Sequence, residues 1–136
     1  MIRGLKIWFS KHHTMHRRAY IRGLLVEKMA RIWLQSKGYA ILAQRYVTPV
    51  GEIDLIARRG HTLHFIEVKL RKTFEDAAEA IRPFQQKRLQ RAALYYLKYS
   101  QFIGDSYQFD AILAKRSFKM IHLKGVIYPP LPRNFL

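Results

Sequence analysis

Cysteine is absent from this 136-residue chain. Disulfides, thiolate metal sites and cysteine nucleophiles are excluded with it, and cysteine usage leaves no clue to the redox compartment. Long apolar runs are missing as well, since none approaches the roughly 20 residues that cross a bilayer as a helix. Near the N-terminus Ile7-Trp8-Phe9 is a short apolar patch, but Lys11, His12 and His13 follow at once. The apolar core of a signal peptide is therefore lacking. No membrane partner and a cytoplasmic location are the expectations. Acidic residues are scarce: nine stand against 25 Lys plus Arg, a formal charge of +16. Such an imbalance points to a polyanionic partner, nucleic acid before an anionic membrane surface. It also makes every acid set inside an apolar segment informative.

The length suits one domain with a real core. Residues 1–19 carry Arg3, Lys6, Trp8, Lys11, His12, His13, His16, Arg17 and Arg18. They are expected to form a basic arm, disordered or partly helical, that touches phosphates. With no acid or cysteine near, the three histidines are solvated rather than metal ligands. Residues 20–126 form the folded unit. A helix is expected over 20–37, its apolar stripe being Leu25, Met29, Ile32 and Trp33, stopped by Gly38. Residues 39–47 read as a strand and 48–51 as a turn. Residues 71–80 read as a loop in which Glu75, Asp76 and Glu79 are solvated. Pro83 opens a second helix to about Tyr99, with the stripe Leu89, Ala92, Ala93, Tyr96, Leu97. Strands follow over 107–114 and 118–124, and 127–136 is a proline-containing tail. The order α-β-β-β-α-β-β gives an α/β fold, a mixed central sheet flanked by helices.

The stretch from Gly51 to Lys69 stands at the centre. Two apolar, β-branched runs flank Arg59-Gly60-His61-Thr62, a hairpin signal. Glycine first in a two-residue loop suits a type II′ turn. Counting outward sets Arg59 against Thr62, Asp54 against Glu67 and Glu52 against Lys69. Alternation then puts Glu52, Asp54 and Ile56 on one face, and Phe65, Glu67 and Lys69 on one face. Two carboxylates thus oppose each other, with a lysine one pleat further on. Opposed like charges destabilise unless something cancels them, and a divalent cation held by oxygen ligands would do so. The plain alternative is a solvated strand face on which Glu52 pairs with Lys69. The apolar settings Ile53-Asp54-Leu55-Ile56 and Phe65-Ile66-Glu67-Val68 weigh against it.

Other acids carry weaker signals. Glu27 shares a helix flank with Ala30 and Leu34 and is aimed either at the sheet or at Arg31, four residues on. Asp110, inside Phe109-Asp110-Ala111-Ile112-Leu113, reads as a structural acid satisfied by a nearby basic group. Gln85 and Lys87 lie near the start of the second helix, where phosphate binds well.

Gly51-Glu52-Ile53-Asp54-Leu55-Ile56-Ala57, Phe65-Ile66-Glu67-Val68-Lys69-Leu70-Arg71, Lys87 and Phe109-Asp110 together resemble the YraN-like family of small bacterial proteins. That family is similar to Holliday-junction resolvases and restriction endonucleases, the PD-(D/E)xK nuclease superfamily. The likeness spans about residues 22–126. It departs from the family pattern at Val26, where a glycine is usual, and at Gln108, where an arginine is usual. The resemblance implies a restriction-endonuclease-like fold. It makes Asp54 and Glu67 metal-binding carboxylates, joined by Glu27 and the Val68 carbonyl. Lys69 would assist the attacking water or the developing charge, and Gln85 and Lys87 would match polar residues at the start of the second helix.

The expectation is therefore a Mg²⁺- or Mn²⁺-dependent endonuclease hydrolysing phosphodiester bonds in DNA, branched or otherwise structured. Asp54, Glu67 and Lys69 would be catalytic. Arg45, Arg58, Arg59, Arg71, Gln85, Lys87 and Arg88 would bind the nucleic acid, and a homodimer is expected for the assembly. Two alternatives stand beside it: a non-catalytic nucleic-acid-binding module with the nuclease fold, which needs only the charge, and a basic structural protein of a ribonucleoprotein assembly.

Overall fold

The computed structural model describes residues 2–101 and 105–126, with side chains from residue 16 onward. The proline-containing tail expected over 127–136 and the side chains of His12 and His13 lie outside the described residues. Helix α1 spans Ile2–Ser36. It starts far ahead of residue 20, where the sequence led us to place a helix after an arm. The reason is local: residues 2–36 contain no proline, and Gly4 and Gly23 are the only glycines. Nothing in the basic segment therefore breaks a helix that residues 20–36 already favour.

The buried stripe of α1 also differs from the expected one. Val26, Ala30 and Leu34 are buried, whereas Leu25 and Ile32 are 44% and 52% exposed. Both stripes have helical spacing, so periodicity alone could not choose between them. Val26 and Ala30 are small, which lets the helix lie close to the sheet. There they pack with Leu34 against Leu55, Ile66 and Ile112.

After α1 the chain forms β1 (Ala40–Thr48), β2 (Gly51–Arg59) and β3 (Thr62–Arg71), then α2 (Phe74–Glu79) and α3 (Pro83–Tyr99), then β4 (Ser106–Lys115) and β5 (Met120–Leu123). The five strands lie side by side in sequence order. All neighbours are antiparallel except β3 and β4, which are parallel. A parallel pair needs a crossover, and α2 and α3 supply it. The expected order α-β-β-β-α-β-β and the mixed sheet are both present, an arrangement consistent with a restriction-endonuclease-like fold. Helix α3 covers the face opposite α1, packing Leu89, Ala92 and Ala93 on Ile53, Ile56, Leu63 and Phe65.

Two segments depart from the sequence reading. Residues expected to form a loop contain α2, whose first turn is capped by Thr73, its side chain accepting from the Asp76 N–H. Ala77 then buries itself against Ala111 and Leu113. With only one of its six residues buried, such a helix is hidden from periodicity, although the Thr73 cap with acids in the first turn was a usable signal. Strand β5 begins at Met120, not 118, because Phe118 takes a left-handed φ of 63°.

Asp110 is the structural acid the sequence suggested, and its partners are histidines. It is fully buried. Its Oδ2 lies 2.7 Å from His64 Nδ1 and 2.8 Å from His122 Nε2. Its Oδ1 accepts from Gln108 Nε2 and from the Gly125 N–H, each at 2.9 Å. Burial alone would raise its pKa; the hydrogen bonds from His122, His64, Gly125 and Gln108 outweigh that and hold the carboxyl well below the usual range. The network ties β4 to β3, to β5 and to the turn after β5. Asp110→Ala strands four polar partners and is expected to cost at least about 3 kcal/mol in urea unfolding. A depressed folded pKa stabilises at neutral pH and loses that effect as pH falls, so the wild type alone should weaken through this group below about pH 4. A variant within 1 kcal/mol of wild type would rule the network out as a structural tie.

Candidate functional site

The turn at the centre of the chain forms as counted. Gly60 sits at φ +60° and His61 does not adopt positive φ, as a type II′ turn requires. Arg59 pairs with Thr62, and the register runs unbroken to Leu55 opposite Ile66. One step further Asp54 and Glu67 would follow. There the backbone ladder stops, and Asp54 Oδ2 accepts the Val68 N–H at 2.8 Å. A side-chain carboxylate takes the place of a main-chain acceptor.

The other edge of β2 is irregular at the same level. Gln44 pairs with Leu55 and Tyr46 with Ile53, but Arg45 and Asp54 between them do not pair, and Arg45 adopts φ 47°. Such a backbone is strained for an arginine. Alternation slips here: Ile53 and Ile56 both pack under α3, while Leu55 packs under α1. The expectation that Glu52, Asp54 and Ile56 share a face is therefore corrected. Strand β3 keeps its alternation, with Leu63 and Phe65 towards α3 and Ile66 and Val68 towards α1. That regularity puts Glu67 and Lys69 on the Phe65 side, as expected.

Ion pairs here differ from the plain alternatives in the sequence. Lys69 Nζ lies 3.0 Å from Glu67 Oε1. Glu52 pairs with Arg45 at 3.4 Å instead of with Lys69. Glu27 also faces Arg45, at 3.7 Å, and not Arg31. Among the described residues no cation lies within ion-pair distance of Asp54, and Lys69 pulls on it only weakly. Burial, then the Glu67 charge, push its carboxyl up to about 8, against the pull of the Val68 N–H. Burial likewise raises Glu27, and the Arg45 charge opposes it.

Two adjoining pockets meet at these residues. The smaller, about 320 Å³, is lined by Glu27, Arg45, Glu52, Asp54, Glu67, Lys69, Gln85, Arg88 and Leu89. The larger, about 680 Å³, shares Glu27, Lys69 and Gln85 and adds Arg22, Arg71, Lys72, Arg82 and Arg116 among others, with Asp76 and Glu79. Gly51 makes the smaller pocket's geometry achievable. A Cβ there would sit 3.0 Å from the Arg88 carbonyl oxygen, so only glycine lets the β1–β2 turn approach α3 this closely.

Of the residues the sequence nominated, Arg45, Gln85 and Arg88 line the smaller pocket with the carboxylates, and Arg71 lines the larger one. Lys87 is exposed and lines neither. Arg58 and Arg59 lie at the turn end of the hairpin, away from Asp54, and Arg59 stacks over Tyr39 at 5.3 Å. Strand direction explains this: four and five residues of extended chain carry them about 13–17 Å from Asp54. Arg22, Lys72, Arg82 and Arg116 were missed. They come from α1 and three different connections, and no local pattern links them.

Among the described residues no three His, Asp or Glu side chains converge as a ready-made cation cage. Mg²⁺ does not require one, because it is commonly held by one or two carboxylates, with waters and substrate phosphates filling the rest. Asp54 and Glu67 are hard oxygen donors whose mutual repulsion a dication would relieve, so the donor set fits.

A model of "Uncharacterised protein family UPF0102" matches residues 26–114, which hold all four pocket acids. A "UPF0102 protein" of Parvibaculum lavamentivorans is 47% identical over 96 residues, 70% of this chain and 72% of that protein. One from Nitrobacter winogradskyi is 42% identical over 108 residues, 79% of this chain and 92% of that protein. One from Caulobacter vibrioides is 52% identical over 73 residues, covering 54% of this chain and 58% of that protein.

The Asp54 electrostatics generate a pH test. Its folded pKa lies above its unfolded value, so the unfolded chain releases the proton first and stability falls as pH rises from about 4 towards 8. Asp54→Asn keeps an acceptor for the Val68 N–H and cannot ionise. Without divalent cations the variant should gain on wild type in urea midpoint between pH 5 and pH 8, by about 1–3 kcal/mol. A difference that stays constant with pH would show that Asp54 ionises normally.

Proposed function

We propose that this chain, which belongs to the UPF0102 family, is a metal-dependent phosphodiesterase acting on DNA, of the PD-(D/E)xK nuclease kind that its sequence resembles. One observation carries the reading: Glu27, Asp54, Glu67 and Lys69 line one pocket that opens into a basic cleft. A pure binding surface has no use for a carboxylate inside a strand that faces a second carboxylate and has no ion-pair partner among the described residues.

Asp54 and Glu67 would hold Mg²⁺ or Mn²⁺, with Glu27 and the Val68 carbonyl completing the set. Such an ion acidifies a bound water and withdraws charge from the scissile phosphate. Lys69, already against Glu67, is placed to position the attacking water or to meet charge developing on phosphate. Arg45 neutralises Glu27 and Glu52 and so keeps the rim acids from repelling the backbone. Arg22, Arg71, Lys72, Arg82 and Arg116 would neutralise flanking phosphates. Lysines and arginines on phosphates position a strand without reading bases, so no sequence specificity is expected.

A second reading, nucleic-acid binding without hydrolysis, draws on the 3.0 Å Lys69–Glu67 pair, which neutralises one carboxylate with no metal present. Calorimetric titration with Mn²⁺ separates the two. Under the nuclease reading the wild type binds the ion, Glu67→Gln does not, and Asp54→Ala abolishes Mg²⁺-dependent cleavage while DNA binding persists. A wild type that takes up no metal even with DNA present would leave the binding module as the function.

The cleft carries its own prediction. Each of Lys72→Ala and Arg82→Ala should weaken DNA binding across sequences and reduce the log–log salt slope by about 1, whereas Lys87→Ala, outside both pockets, should change it less. Equal effects from all three would mean that the cleft is not the phosphate track.

A further inference from the structure

We infer that the strand held at this site is unpaired, and that Tyr20 and Phe84 are stacking platforms for its bases. The inference rests on the nucleic-acid reading above and narrows its substrate class. Phe84 lies in the first turn of α3 and is 69% exposed; Tyr20, on α1, is 59% exposed. Neither belongs to a core cluster, whose buried aromatics are Tyr39, Phe65 and Phe109. Their positions are specific. Phe84 precedes Gln85, which lines both pockets, and Tyr20 follows Ala19, which lines the larger one. Each ring also carries an arginine from the carboxylate pocket. The Arg88 guanidinium lies 5.8 Å from the Phe84 centroid. The Arg45 guanidinium lies 5.6 Å from that of Tyr20, and Arg45 Nη1 donates to the Tyr20 hydroxyl at 3.4 Å. Two exposed rings, one on α1 and one on α3, thus each hold an arginine that lines the same pocket.

This combination of a basic track with exposed rings beside it is the chemistry of single-strand binding, in which phosphates follow the cations and bases stack on aromatic faces. Every base offers such a face, so the contact needs no sequence. A duplex cannot use it, because its bases are already stacked and turned inward. The arginines on the rings and the cations of the cleft favour nucleic acid over an apolar protein partner.

The test measures fluorescence anisotropy with the full chain and EDTA, comparing a labelled oligothymidylate with a mixed-sequence duplex of equal length. Wild type is expected to bind the single strand more tightly. Phe84→Ala should weaken single-strand binding about tenfold and leave the duplex within about twofold, since one base–ring stack contributes about 1–3 kcal/mol. Phe84→Trp should restore it, and Tyr20→Phe should retain it where Tyr20→Ala does not. Equal losses on both forms, no loss, or a wild type that prefers the duplex would overturn the inference. Because EDTA removes the metal, the result stands apart from hydrolysis. A chain that binds single strands through Phe84 but takes up no Mn²⁺ would keep this inference and lose the nuclease reading.

Discussion

The hydrogen bond from the Val68 N–H to Asp54 Oδ2 is the contact on which the site depends. It occurs where the β2–β3 ladder would otherwise continue, so a carboxylate stands inside the sheet's own bonding pattern. Apolar packing on both faces of the sheet shields that position in part, and a partly shielded carboxylate beside Glu67 is costly to ionise. The strain at Arg45 and the slipped alternation of β2 belong to the same locality. From Asp54 back to Gly51 the strand β2 no longer pairs with β3, and the pocket opens there.

Two aspartates set inside apolar strands, Asp110 fully and Asp54 partly buried, show opposite solutions to the same problem. Asp110 receives four hydrogen bonds and is held ionised. Asp54 receives one from the backbone, faces Glu67, and is pushed towards its neutral form. The first arrangement fastens strands together. The second leaves a carboxyl that is costly to ionise unless a cation is bound beside it, which is the physical basis for proposing Asp54 as functional and Asp110 as structural. Around Asp54 the charges are graded: Lys69 answers Glu67, Arg45 answers Glu27 and Glu52, and the cleft beyond is lined by further arginines and lysines. A polyanion would meet cations first and carboxylates last.

Much of this was legible in the sequence because it is local. The Gly60-His61 loop set the register by counting, Pro83 marked the start of α3, and apolar alternation located the strands. The structural reading of Asp110 rested on its apolar neighbours in the same way. The resemblance of Gly51–Ala57 and Phe65–Arg71 to a known family used the same short-range information. Where two answers had the same period, as with the Leu25 and Val26 stripes of α1, local pattern could not choose, because the choice is made by what the helix packs against.

What the sequence determined by itself was the hairpin register that brings Asp54 towards Glu67, the strongly positive net charge, and the alternating order of helices and strands. Tertiary structure alone decided which acid pairs with which base, that His64 and His122 serve Asp110, and that Arg22, Lys72, Arg82 and Arg116 share a cleft. It also left Arg58 and Arg59 at the far end of the hairpin. The division has a physical cause. Turn chemistry and side-chain period act over a few residues, whereas ion pairs and clefts depend on chain segments that the parallel β3–β4 crossover brings together from far apart in sequence.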